Sequence, residues 1–233
     1  GLVSEDHDRA QRDGRRVVGY GFNSNGRYAQ GAIIRDRLAP RLLALIPEAQ
    51  QNAAGDNIDP MRLRAAMMQN EKPGGHGERA VAVAAVEIAL WDAAAKIAEM
   101  PLWKMIGGDA AESRVFVYAA GGYYDEEKGI SGLIEEVCGY LAQGYTWVKI
   151  KIGGATLDED MRRIDAVLEL LGGDGRRLAV DANGRFDLET ALKYSAAMAP
   201  YNLRWFEEPG DPLDYELNAE IVRNYPSAVA TGE

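Results

Sequence analysis

Cysteine and histidine are almost absent from this chain. With one cysteine among 233 residues, Cys138, no disulfide can form within it, which excludes a disulfide framework and fits a reducing, cytoplasmic setting. Cys138 falls in a helix-like segment and reads as a small buried or half-buried apolar side chain. The two histidines, His7 and His76, cannot make a Cys/His zinc centre, and no Ser-His-Asp or Cys-His pattern surrounds them. His7 reads as a surface residue in a charged stretch, while His76 sits in a glycine-rich loop where a role stays open. No apolar run reaches the roughly 18–20 residues of a membrane span, and residues 1–14 hold no signal-peptide core. Basic residues are outnumbered, 26 against 36 acids, for a net charge of −10. Nucleic acid would require a basic face that this balance denies. Neither nucleic acid nor membrane is expected as a partner.

Hydrophobic residues, by contrast, make up 47% of the sequence, ample for a core. The length exceeds the common single-domain range of roughly 100–150 residues, and two parts are expected. Residues 1–112 read as an α+β capping domain. In it, Arg15–Phe22 reads as a strand and Gln30–Ile46 as a helix that Pro40 should kink or divide. Asp59-Pro60 reads as an N-cap with proline at the first helical position. Arg79–Glu99 is apolar on nearly every face, so that helix should be buried on most sides.

Residues 113–233 change rhythm. Strands are expected at 115–120, 147–152, 177–182, 203–208 and 228–232, with helices near 129–143, 157–171, 187–199 and 213–224 between them. Such alternation predicts an α/β architecture, a parallel sheet with helices outside. Five βα units are about half of a TIM-type (β/α) barrel, which typically takes about 250 residues. The chain is therefore expected to be part of a longer one. Gly153-Gly154 reads as a βα turn, because no Gly-x-Gly-x-x-Gly or P-loop pattern follows it.

Three acids stand at a constant stride at the ends of the last three strands. Asp181 closes Leu178-Ala179-Val180-Asp181, Glu207 closes Trp205-Phe206-Glu207, and Glu233 closes Ala230-Thr231-Gly232-Glu233; the spacings are 207 − 181 = 26 and 233 − 207 = 26. Three hard oxygen donors on neighbouring strand ends suit Mg²⁺. Glu208 competes with Glu207 as the second ligand, but the stride selects Glu207 and strand alternation turns Glu208 to the other face. Upstream, Lys149-Ile150-Lys151 alternates with apolar Val148, Ile150 and Ile152, so both lysines should point inward. Beside a cation and each other, their pKa values are expected to be depressed, suiting them as bases.

Lys149-Ile150-Lys151, Asp181-Ala182-Asn183, Glu207-Glu208-Pro209 and Gly232-Glu233 together resemble the mandelate racemase branch of the enolase superfamily. The resemblance implies a capping domain before a modified barrel, Mg²⁺ on Asp181, Glu207 and Glu233, and Lys151 as the base that removes a proton α to a carboxylate. It also implies a further histidine as second acid or base, expected beyond residue 233, and assembly as a homo-oligomer. Segments such as Gly19–Tyr28, Asn70–Arg79 and Val115–Tyr124 are similar to the D-tartrate dehydratase subfamily. That similarity implies a small dicarboxylate or acid-sugar substrate, with dehydration of D-tartrate to oxaloacetate. Lys149 would bind the substrate carboxylate, while Asn25 and Lys72 would hold its distal groups. Another acid-sugar dehydratase, a racemase of the same branch, or an inactive fragment are the alternatives.

Overall fold

Short runs of β-branched and aromatic residues form strands where a neighbour is in register to receive them. The computed structural model describes residues 11–12, 15–23, 28–72, 77–125 and 128–232, in two units, Gly1–Val115 and Phe116–Glu233. Among the described residues, no helix is long and apolar enough to cross a membrane.

The first unit opens on a two-residue antiparallel pair, β1 (Gln11–Arg12) and β2 (Arg15–Arg16). The strand expected over Arg15–Phe22 stops there, because Gly19 and Gly21 let the chain lie directly on a helix instead. A Cβ at Gly19 would sit 1.9 Å from the Ala89 carbonyl oxygen, and one at Gly21 2.1 Å from that of Ala85. Side chains of that helix take the place of a ladder: Tyr20 N–H donates to Asp92 at 2.8 Å, and Lys96 donates to the Val18 carbonyl at 2.9 Å.

Next come α1 (Gln30–Ile33), a π-helical turn over Ile34–Leu38 and α2 (Ala39–Leu43). The run is divided, as expected, and Pro40 stands second in α2, just after the π turn. A proline ring clashes with the carbonyl four residues back, and the wider π turn just before it absorbs that conflict. After α3 (Pro47–Gln50), helix α4 (Pro60–Met67) starts at Asp59, whose carboxylate accepts from Met61 N–H at 3.0 Å and Arg62 N–H at 3.1 Å. The long helix α5 (Glu78–Ile97) buries Ala82, Val83, Leu90, Ala94 and Ala95, and the Gly19–Gly21 segment lies against Ala85, Ala89 and Ala93; only Ala84, Ile88 and Lys96 along it are exposed, so it is covered on most sides, as expected. Leu38, Leu42, Leu63 and Met67 close this core with Ala82, Val83 and Leu90, and α6 (Leu102–Gly107) follows.

The second unit alternates β3 (Ala119–Gly121), α7 (Gly129–Ala142), β4 (Val148–Lys151), α8 (Leu157–Leu170), β5 (Leu178–Asp181), α9 (Leu188–Met198), β6 (Trp205–Glu207), α10 (Tyr215–Asn224) and β7 (Ala228–Ala230). The five strands pair in parallel in sequence order, β3-β4-β5-β6-β7. The first of them is shorter than expected. Register with β4 begins only at Ala119 opposite Val148, and apolar Val115, Phe116 and Val117 remain 79%, 58% and 58% exposed. Val148 and Ile150 of β4, and Ile152 just past it, are buried with Leu133 and Val137 of α7 and Ile164 and Val167 of α8, which turns Lys149 and Lys151 to the other face. Cys138, the next residue round α7 from Val137, is exposed rather than buried. Ladder bonds continue past the strand ends: Ile152 N–H donates to the Asp181 carbonyl, Ala182 N–H to that of Glu207, and Glu208 N–H to that of Ala230.

Candidate active site

Strand pairing sets the site. Lys151 is opposite Asp181, and Asp181 is opposite Glu207, so a cation and two acids meet at the C-terminal ends of β4, β5 and β6, and Lys149 reaches between the acids. Lys151 donates to Asp181 Oδ2 at 2.6 Å. Lys149 lies 3.1 Å from the same oxygen and also donates to Glu207 Oε1. All four side chains are mostly withdrawn from water: Asp181 is 2% exposed, Lys149 12%, Lys151 13% and Glu207 18%.

Burial works against the Lys149 ammonium, but its hydrogen bonds to Glu207 and Asp181 outweigh that and raise its pKa. Two carboxylates facing it directly set that direction, whereas the depressed value was expected beside a bound cation. Burial likewise pushes the Asp181 carboxyl up. The Lys151 ammonium, the Asn183 N–H and Lys149 together hold it below the usual carboxylate range.

Each acid divides its two oxygens between different kinds of donor. Asp181 Oδ1 accepts from the Asn183 backbone N–H at 2.9 Å, while Oδ2 faces the lysines. Glu207 Oε2 accepts from the Trp205 indole N–H at 2.8 Å, while Oε1 faces Lys149. Asn183 and Glu208, each just past a strand end, hold φ of 51° and 45°, a left-handed conformation that is uncommon outside glycine. Glu208 is buried, beyond the end of β6. Aromatic rings flank the cations, with Lys149 5.9 Å from the Tyr118 centroid and Lys151 5.4 Å from that of Tyr123.

A metal was expected between Asp181, Glu207 and Glu233. Among the described residues no group of three His, Cys, Asp or Glu side chains gathers as ligands. Glu233, Asn25, His7 and His76 lie outside the described residues. What the structure does show fits a cation: oxygens of Asp181 and Glu207 converge on one positive group, the Lys149 ammonium, from adjacent strands. Two hard oxygen donors so placed suit Mg²⁺. Lys72 is exposed in the first unit, next to Glu71.

Behind the lysines lies a buried carboxylate that sequence reading passed over. Asp160 of α8 is fully buried and accepts from the Tyr124 hydroxyl, the Tyr194 hydroxyl at 2.8 Å and Gly153 N–H at 2.7 Å. Arg163, one turn on, donates to the Gly122 carbonyl at 2.6 Å and lies 3.5 Å from that of Lys151. Gly153 has φ of 82°, and a Cβ there would come within 2.7 Å of the Phe186 ring. The Gly153-Gly154 turn is thus a fixed exit from β4, its first amide committed to Asp160. Trp205 was also passed over, although it stands two residues before Glu207 on one strand and so shares its face.

Residues 12–107 match the family model for the mandelate racemase/muconate lactonizing enzyme N-terminal domain, and residues 132–233 that for the enolase C-terminal domain-like fold. The 3,6-anhydro-alpha-L-galactonate cycloisomerase of Streptomyces coelicolor is 41% identical over 160 residues, 69% of this chain and 42% of that protein. The L-talarate/galactarate dehydratase of Salmonella typhimurium is 37% identical over 161 residues, 69% of this chain and 39% of that one. A crystal structure of a racemase from Streptomyces coelicolor with bound magnesium superposes with a TM-score of 0.74 at 30% identity, covering 94% of this chain and 62% of that one. The matched region thus spans under half the length of these two curated relatives.

Proposed function

This chain belongs to the mandelate racemase/muconate lactonizing enzyme branch of the enolase superfamily, and on that premise we propose that it serves Mg²⁺-dependent dehydration of an acid sugar, most specifically D-tartrate to oxaloacetate. The observation that carries the reading is the alternation Lys151, Asp181, Lys149, Glu207 at three adjacent strand ends. Relatives named for dehydration and cycloisomerisation of acid sugars support it.

Asp181 and Glu207, with Glu233, would hold the metal, which when bound would stabilise the charge that builds on the substrate carboxylate as the α-proton leaves. Lys149 sets a positive charge beside that carboxylate. Its contact with both acids brings the ammonium to the strand ends, and its flexible stem lets it shift when the metal is bound. Lys151, as a neutral amine, takes the α-proton, and the C–H electron pair moves toward the carboxylate. Loss of the β-hydroxyl, as water once protonated, restores the carboxylate and leaves an enol that ketonises. Tyr118 and Tyr123 cover the lysines and limit water around them. Asn25 and Lys72 are our candidates for the distal carboxylate and hydroxyls, and a histidine beyond residue 233 for the second acid.

The test is a panel of diacids and aldonates given to the full-length protein with Mg²⁺ in D₂O, reading keto-acid product and deuterium at the α-carbon. Turnover of D-tartrate to oxaloacetate is the expected result. Turnover of a hexarate or aldonate alone would move the substrate to another acid-sugar dehydratase. Deuterium exchange with inversion and no water loss would make the protein a racemase. No exchange on any acid would sink the reading.

A further inference from the structure

We infer that Trp205 is a positioning residue that keeps Glu207 a one-oxygen ligand and so biases the site toward Mg²⁺ and against Ca²⁺. The inference rests on the metal reading above and adds a selectivity element to it.

Trp205 and Glu207 point to the same face of β6, and the indole Nε1–H donates to Glu207 Oε2 at 2.8 Å. The ring itself is braced edge-to-face by Tyr118, with centroids 5.2 Å apart and planes at 76°. An indole N–H is a donor only and cannot reverse its role, so it holds one Glu207 oxygen, here Oε2. Oε1 is left toward Lys149 and Asp181. The neighbouring acid is divided in the same sense, with Oδ1 taken by the Asn183 N–H and Oδ2 turned to the lysines. Two acids from two strands therefore each present one oxygen inward.

Mg²⁺ requires near-octahedral coordination at about 2.0–2.1 Å and takes one oxygen from a carboxylate readily. Ca²⁺ gathers about 6–8 oxygens and often chelates both oxygens of one carboxylate. For Glu207 to chelate, the carboxylate must turn Oε2 as well as Oε1 toward the cation, which bends or lengthens the indole bond to Oε2, and weakening the bond of a half-buried N–H is costly. That cost falls on Ca²⁺ and spares Mg²⁺. Trp205→Phe keeps the ring and its packing on Tyr118 but removes the donor.

The experiment is calorimetric titration of the full-length protein with Mg²⁺ alone and Ca²⁺ alone. Trp205→Phe is expected to raise the Ca²⁺ affinity relative to Mg²⁺ about tenfold, the lower end of what such supporting contacts contribute. Trp147→Phe is the control. Trp147 packs against Phe116 and Arg204, and its loss should leave the ratio within about twofold. A second measurement needs no variant: in ¹⁵N-indole-labelled wild-type protein, the Trp205 N–H resonance should stay hydrogen-bonded with Mg²⁺ and move toward the free-indole position with Ca²⁺. An unchanged affinity ratio in Trp205→Phe, equal loss of both cations, or the same indole shift with both overturns the inference alone. If Trp205→Phe does not fold, the indole shift decides. A wild-type protein that binds neither cation takes down the metal reading and this inference with it.

Discussion

Two carboxylate clusters in this molecule have the same ingredients and different uses. In the first unit, Glu71 is 8% exposed and ringed by arginines: Arg37 at 2.6 Å and Arg41 at 2.9 Å on Oε1, and Arg79 at 3.1 Å on Oε2. The Arg37 hydrogen bond, against an opposing burial cost and with help from Arg79 and Arg41, brings its pKa down to about 2. Guanidinium does not deprotonate in proteins, and both oxygens are spent, so the cluster is a permanent clasp. In the second unit the cations are lysines, and each acid commits one oxygen to a neutral N–H and turns the other to the ammonium groups. An ammonium is a compact point charge on a flexible stem, so it can move aside for another cation or give up its proton. Exchangeable charge, rather than mere concentration of charge, separates the candidate site from the clasp.

Breaking the second cluster should give the largest effect. Lys151→Ala in the full-length protein is expected to cut α-proton exchange about 10³-fold, the range of a lost general base, while cation affinity stays nearly intact. Deuterium incorporation read by mass spectrometry checks this, and wild-type-like incorporation would remove Lys151 as the base. The buried support comes next. Asp160→Ala strips the acceptor from two tyrosine hydroxyls and Gly153 N–H, and should lower unfolding stability by about 3 kcal/mol in urea titration.

The arginine clasp is sharpened by acid. Because Glu71 is depressed from 4.5 to about 2, its stabilisation is full above about pH 4.5 and is lost as pH falls through about 2. Glu71→Gln should flatten that part of the melting-temperature profile and leave cation affinity unchanged. A shifted cation affinity would mean the two clusters are not independent. The smallest change is Thr156→Ala, which removes the N-cap of α8, a 3.3 Å bond to Glu159 N–H, at about 1 kcal/mol. If this helix, loosened at its cap, also lost proton exchange, Asp160 would be no special support.

The acids at the ends of β5 and β6 were legible because a short apolar run ending in a charge is a strong sign for a buried parallel strand, and a constant stride repeats it. The lysine face was legible for the same reason, through Val148, Ile150 and Ile152. Other strands were not, since β-propensity says nothing about whether a partner is in register. Val115–Val117 is apolar yet unpaired with β4, and Arg15–Phe22 trades a ladder for the surface of α5 through Gly19 and Gly21. Trp205 escaped notice because a tryptophan on a strand reads as core, and its one polar atom carries no periodicity. Asp160 escaped because one acid among Asp158, Glu159 and Asp160 looks like any first-turn helix charge. Only packing against Tyr124 and Tyr194 distinguishes it. For Lys149 the sequence shows the cation but not its closeness to two carboxylates.

The ladder bonds that run past the strand ends turn the site into a staircase. The carbonyl of Asp181 fixes the residue after Lys151, that of Glu207 fixes the residue after Asp181, and that of Ala230 fixes the residue after Glu207. Each tread is held by the next strand, and the first loop residues, such as Asn183 and Gly153, brace it further. Such a construction is modular for evolution and for the engineer alike. Beyond those first residues, the βα loops above it can be exchanged to suit a new substrate while the acids keep their spacing. A single residue deleted within β5, though, would turn Asp181 to the outer face and take one step out of the stair.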